Sequence, residues 1–157
     1  MGETRWLSPA EQRAWRAYLQ ASALLEDQLD RQLQRDAGIP HLYYALLVYL
    51  SEAPERRLRM TGLAEELKIT RSRLSHAVSR LEERGWVDRT GCTSDGRVQY
   101  AELTDAGLAM LAGTAPGHVA AVRAAVFDRL TGDHIRALTE ISEIIADGLR
   151  SDLPWQR

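Results

Sequence analysis

The stretch Leu63-Ala64-Glu65-Glu66-Leu67-Lys68-Ile69-Thr70-Arg71-Ser72-Arg73-Leu74-Ser75-His76-Ala77-Val78-Ser79-Arg80-Leu81-Glu82-Glu83-Arg84 decides how the chain is read. Leu63, Ala64 and Leu67 mark the inward side of a short helix. Lys68-Ile69-Thr70 is a three-residue turn, and Thr70 is a natural N-cap for a second helix from Arg71 to Arg84, closed by Gly85. Two helices joined by so short a turn form a helix-turn-helix unit, whose second helix can enter a DNA major groove. In that helix Leu74, Ala77, Val78 and Leu81 form the buried stripe. Arg71, Ser72, Arg73, Ser75, His76, Ser79 and Arg80 lie mostly on the other faces.

That outward set has a definite chemistry. A solvated helix usually alternates Glu with Lys, whereas no acid occurs from Thr70 to Leu81. Small hydroxyls allow close approach to a duplex and donate to phosphates; arginine can grip guanine O6 and N7 with two hydrogen bonds. The same residues also suit a merely solvated face in an arginine-biased chain, since the sequence holds nineteen Arg against one Lys.

Downstream, Trp86–Thr90 and Arg97–Leu103 read as two short strands around Gly91-Cys92-Thr93-Ser94-Asp95-Gly96, a hairpin-tip composition. Arg97 at this tip suits a narrow minor groove. Asp95 is placed to hold Arg97 or Arg89 through a charge-assisted hydrogen bond. Upstream, Ser8-Pro9-Ala10-Glu11 has the form of a capping box. It opens an amphipathic helix of about 27 residues ended by Gly38, longer than one small core needs, so part of its stripe is expected against another subunit. Pro40 opens an apolar second helix that Pro54 stops. Leu58-Arg59-Met60 reads as a short strand, with Thr61 capping the third helix. Thr104 caps a fifth helix that Pro116 is expected to kink or interrupt, with apolar spacing resuming through Val119, Val122, Val126 and Leu130. Thr131 caps a last helix striped by Ile135, Leu138, Ile141, Ile145 and Leu149. The expected fold is mainly α with a small β-wing: six helices plus a hairpin sheet of two or three strands. Residues 39–104 would form the winged helix-turn-helix region; residues 1–38 and 105–157 would form a helical dimerisation region.

The chain's 157 residues carry a net charge of −2, but the charge is unevenly spread. Residues 56–97 hold ten Lys/Arg and six Asp/Glu, a surplus of four, which leaves the remainder at −6. A basic middle between acidic ends suits a DNA-facing lobe on a separate assembly lobe. The N-terminus lacks the basic-then-apolar layout of a signal peptide, and no apolar run approaches the ~20 residues of a membrane helix, so the expected location is the cytoplasm. Single Cys92 excludes an intramolecular disulfide and a cysteine metal cluster, while His41, His76, His118 and His134 are scattered; no metal or cofactor is expected. Nor is an enzyme, since there is no phosphate loop, nucleophile elbow, or pair of His with an acid at metal spacing. The competing class is a helical protein-interaction module without DNA binding, for which a basic hairpin behind a basic helix has no use.

Three segments together resemble the MarR family of winged helix-turn-helix regulators: Leu81-Glu82-Glu83-Arg84-Gly85-Trp86-Val87-Asp88-Arg89, Asp95-Gly96-Arg97, and Leu103-Thr104-Asp105-Ala106-Gly107. The resemblance covers nearly the whole chain in helix order. It departs at Gly96, where the family often has arginine. It implies a dimer built by the terminal helices, acting as a repressor on double-stranded DNA with a palindromic operator. Arg97 would enter the minor groove with Asp95 as its support, and Thr70, Arg71, Ser72, Arg73, Ser75, His76, Ser79 and Arg80 would read bases and phosphates. It also implies a pocket for a small aromatic effector, with Trp15, Tyr18, His41 and Tyr44 as candidate liners; aromatics at helical spacing serve equally as core or dimer interface.

Overall fold

The computed structural model describes residues 4–91 and 98–151. Among them the chain forms helices α1 (Pro9–Ala37), α2 (His41–Glu52), α3 (Met60–Glu66), α4 (Arg71–Glu83), α5 (Asp105–Ala125) and α6 (Gly132–Ser151). The strands are β1 (Arg57–Arg59), β2 (Val87–Gly91) and β3 (Gln99–Leu103), all antiparallel in the order β1-β3-β2. Compactness divides the chain into two units, 1–118 and 119–157. No described helix is long and apolar enough to cross a membrane.

Local signals account for most boundaries. Ser8 Oγ accepts from the Glu11 N–H at 3.2 Å and the Glu11 carboxylate accepts from the Ser8 N–H at 2.7 Å, a complete capping box. These bonds hold the Glu11 carboxyl below its ordinary pKa. Gly38, at φ +64°, ends α1. Thr70 Oγ1 accepts from the Arg73 N–H and starts α4. Gly85, at φ +71°, ends it: its N–H bonds the Glu82 carbonyl while the Trp86 N–H bonds that of Leu81, the paired reversal that a left-handed residue permits.

The strand expected at Leu58-Arg59-Met60 is β1, Arg57–Arg59, because Met60 already belongs to α3. Three features of the helices also differ from the sequence reading. Helix α3 begins at Met60, with Arg59 as its extended flanking residue and no side-chain cap, so Thr61 lies inside the helix. Helix α5 runs through Pro116 without interruption. There the missing N–H leaves one carbonyl, that of Ala112, without its helical donor, and Ala112 is exposed to water. Past Ala125 the chain turns through a short 3-10 segment, Phe127–Arg129, so Val126 and Leu130 lie beyond the helix.

The core of the first unit packs Leu33 and Ile39 with Leu46, Leu47 and Leu50 of α2, Leu63 of α3, and Leu74, Val78 and Leu81 of α4. Val87, Ala101 and Leu103 close it from the sheet and Leu111 from α5. Thr104 and Gly107 join sheet and helix. The Thr104 hydroxyl donates to the Gly85 carbonyl at 2.7 Å and accepts the Gly107 N–H at 3.0 Å. A Cβ at Gly107 would overlap the Trp86 carbonyl, so only glycine lets α5 pass so close.

Apolar residues outside this core are exposed: Trp6, Leu7, Trp15, Leu19 and Leu24 near and along the start of α1, and separately Ile135, Leu138, Ile141, Ile144, Ile145 and Leu149 on α6.

Candidate nucleic-acid interface

Helix α4 presents its polar residues as the 3.6-residue period requires. Leu74, Ala77, Val78 and Leu81 are buried, so Ser72 and His76 stand opposite them, with Arg73 and Arg80 on one flank and Arg71, Ser75 and Ser79 on the other. Arg71, Ser72, Arg73, His76 and Arg80 are exposed; Ser75 and Ser79 are half-buried. Thr70 is exposed, and its hydroxyl oxygen serves the cap while its proton can still be donated outward. Arg80 Nη1 lies 2.9 Å from Glu83 Oε2 in an exposed pair, which raises the guanidinium pKa further.

Alternation along β2 sets the other flank. Val87 is buried, Asp88 exposed and Arg89 half-buried, so Val87 and Arg89 face α4. Arg89 meets Glu82, with Nε 2.9 Å from Oε2 and its backbone N–H 3.2 Å from Oε1. Its Nη atoms donate to the Ser75 and Ser79 hydroxyls. Of the partners suggested for Asp95, Arg89 is therefore already engaged with Glu82. Asp95 and Arg97 themselves, like Cys92, lie outside the described residues.

The sequence reading expected a short strand at Leu58-Arg59-Met60 but left the arginines of β1 out of the interface. There Arg57 stacks over the Tyr100 ring at 4.1 Å from its centroid, and Arg59 Nε donates to the Tyr100 hydroxyl at 3.1 Å. Arg59, Thr61, Arg71 and Ser75 line a cavity of roughly 330 Å³ between the starts of α3 and α4 and the first residues of β3. The signal was available as three arginines in four residues, Arg56, Arg57 and Arg59.

The four candidate effector residues fall into two pairs. Trp15 and Tyr18 stack on each other, ring centroids 6.1 Å apart, and both are about half exposed. His41 and Tyr44 instead meet His118, at 5.7 and 4.4 Å between ring centroids. His41 bonds Glu26 on α1, and at 1.5 Å per residue that carboxylate's position is about 12 Å along the helix from Tyr18. The second pair adjoins a polar cluster in which His118 Nδ1 lies 3.0 Å from Gln32 Oε1, and Gln32 Nε2 donates to Asp36 at 2.8 Å. Because the amide oxygen only accepts, His118 carries its proton on Nδ1. Burial, then the neighbouring His41, lowers the His118 pKa below its ordinary 6.5. Among the described residues no three His, Cys, Asp or Glu gather as a metal site.

A family profile described as "MarR family" matches residues 37–98. The HTH-type transcriptional repressor YetL of Bacillus subtilis is 31% identical over 87 residues, covering 55% of this chain and 52% of that repressor, so the match spans about half of its length. Among solved structures, Sco3205, a MarR family transcriptional regulator from Streptomyces coelicolor crystallised in complex with DNA, is 63% identical, with 99% of both chains covered and a TM-score of 0.90. AbsC, a MarR family regulator from the same organism, is 40% identical over 95% of this chain and 100% of that one, with a TM-score of 0.87. Identity of this order over nearly the full length, on a three-stranded winged helix-turn-helix, establishes that the chain belongs to the MarR family of transcriptional regulators.

Proposed function

We propose that this chain is a sequence-specific DNA-binding repressor that works as a homodimer on a palindromic operator. The observation that carries the reading is the exposed, acid-free polar face of α4, Thr70 to Arg80, with three arginines and two hydroxyl residues open to solvent. In this reading Ser72 and His76, opposite the buried stripe, face base edges in the major groove. Arg71, Arg73 and Arg80 contact phosphates or guanines from the two flanks, Thr70 donates to the backbone, and Ser75 and Ser79 donate to base-edge acceptors. Arg97 reaches the minor groove, supported by Asp95. Crystallisation of Sco3205 with DNA and the repressor role of YetL, both similar to this chain, favour the same assignment.

Residues 39–104 form the DNA-binding region in this account, and 1–38 with 105–157 the dimerisation region. Trp15 is 51% exposed and Ile141 55%, in stripes long enough that a second copy is their natural cover. Two lobes related by a two-fold axis would address half-sites ~34–36 Å apart, hence a palindrome. Release by a small aromatic ligand fits better at His41 and Tyr44, beside the Gln32–His118 cluster, than at the solvent-facing Trp15–Tyr18 pair.

Selection of duplexes from a random pool by the purified chain tests the reading. An inverted repeat with half-sites one helical turn apart is the expected product, bound by a dimer in light scattering. A pool that does not enrich, with the chain captured only by other proteins, would instead identify the helical interaction module.

A further inference from the structure

Arg89 spends its guanidinium on one helix. Nη1 donates to Ser75 Oγ at 3.3 Å, and Nη2 donates to the Ser75 carbonyl and to Ser79 Oγ, each at 2.7 Å. The backbone N–H donates to Glu82 Oε1 at 3.2 Å, and Nε lies 2.9 Å from Oε2 as an ion pair without hydrogen-bond alignment. The side chain is 23% exposed and Glu82 33%, so these bonds form largely out of water, where charge-assisted hydrogen bonds are strong. Residues 75, 79 and 82 span two turns of α4 along one flank. A single strand residue gripping all three resists rotation of the helix about its axis.

The bonds also constrain hydroxyl protons. A serine oxygen has one O–H to donate and two lone pairs. When a guanidinium donates to that oxygen, the hydroxyl proton turns away from the cation. Among the described residues neither Ser75 nor Ser79 passes its proton to a protein acceptor, so both can donate outward, along the flank between α4 and the wing. Base-edge acceptors on DNA suit such a pair: guanine O6 and N7, adenine N7 or thymine O4. The amino groups of cytosine and adenine do not.

We propose that Arg89 is a positioning residue for operator recognition, acting through Ser75 and Ser79 by fixing the rotation of α4 and presenting both hydroxyls as donors, without touching DNA itself. The inference rests on the reading of α4 as the DNA-contacting helix.

The test measures affinity of the full-length chain for its selected duplex and for a random duplex of equal length, at several salt concentrations. Arg89→Met should lose about tenfold or more on the selected duplex, a loss on the scale of one or two directed hydrogen bonds. Its affinity for the random duplex should stay within about twofold of wild type, and its salt slope should be unchanged. Combined Ser75→Ala and Ser79→Ala should lose a similar factor, and adding Arg89→Met to that pair should cost no more than about twofold further. A direct phosphate contact would instead weaken both duplexes and reduce the salt slope by about one. That result overturns the inference, as do losses that simply multiply between Arg89 and the serines. Should Arg89→Met prove unfolded by circular dichroism, Arg89→Lys runs the same cycle, since one ammonium cannot span Glu82 and both serines. A wild-type chain that fails to distinguish the two duplexes would refute the DNA-contacting role of α4 itself, a different and separately visible failure.

Discussion

The Arg84 guanidinium, at the C-terminal cap of α4, donates from Nη2 to the carbonyl oxygen of Gly38, 3.0 Å away at the end of α1. The same side chain lies over the Trp86 ring, 5.0 Å from its centroid. One cation thus joins the end of the long first helix, the end of α4 and the entrance to β2. Arg84→Ala removes an exposed charge-assisted bond and a cation–π contact together, and should cost about 1 kcal/mol. Urea unfolding would show a lower midpoint at unchanged slope; an unaltered midpoint would mean that water replaces both contacts without loss.

Gly107→Ala should be more damaging. The added methyl group would overlap the Trp86 carbonyl and crowd Leu103 Cδ1, and backbone cannot yield as a flexible side chain does. Overpacking of this kind costs about 1–3 kcal/mol or more. Thermal unfolding should show a drop of several degrees, and an unchanged midpoint would contradict the close approach of α5 to β2.

Acidification should destabilise the first unit through His118. On α2 it faces His41 and Tyr44; on α1 it faces Gln32, which is bonded to Asp36. Its folded pKa lies below the ordinary 6.5, so as the pH falls through that value the unfolded chain takes up the proton first. The neutral form's contribution to stability is therefore complete above about pH 7 and declines as the pH falls through 6.5 toward the lowered folded value. His118→Gln should flatten the decline in melting temperature between pH 7.5 and 5.5. A variant with the wild-type pH profile would remove His118 from that account.

Much of this arrangement was legible in short stretches of sequence, because caps act locally. Ser8 with Glu11, Thr70 with Arg73, and Gly85 with its two neighbours each close their bonds within five residues. Periodicity likewise identified the buried and outward faces of α4. What stayed hidden depends on partners distant in the chain. Arg89 finds Ser75 fourteen residues away because β2 returns along α4, and helical period alone does not say which flank a strand will cover. His41 and Tyr44 of α2 meet His118 of α5 through tertiary packing, whereas Trp15 and Tyr18 lie more than two turns along α1 from Glu26, the partner of His41. Pro116 was overrated as a breaker because only one hydrogen bond, on a solvent-facing turn, is lost.

From the wing composition, Arg97→Ala should weaken binding to the selected operator about tenfold while leaving the dimer intact in light scattering. Undiminished affinity in a gel-shift assay would take the wing out of recognition.

The most direct test of the central claim is the salt dependence of binding to the selected duplex, wild type against Arg71→Ala with Arg73→Ala. If α4 meets the phosphate backbone as proposed, log affinity should fall linearly and steeply with log salt concentration, and the double variant's slope should be shallower by about one to two. Affinity that barely responds to salt, or a slope unchanged by the loss of both arginines, would contradict the placement of α4 on DNA.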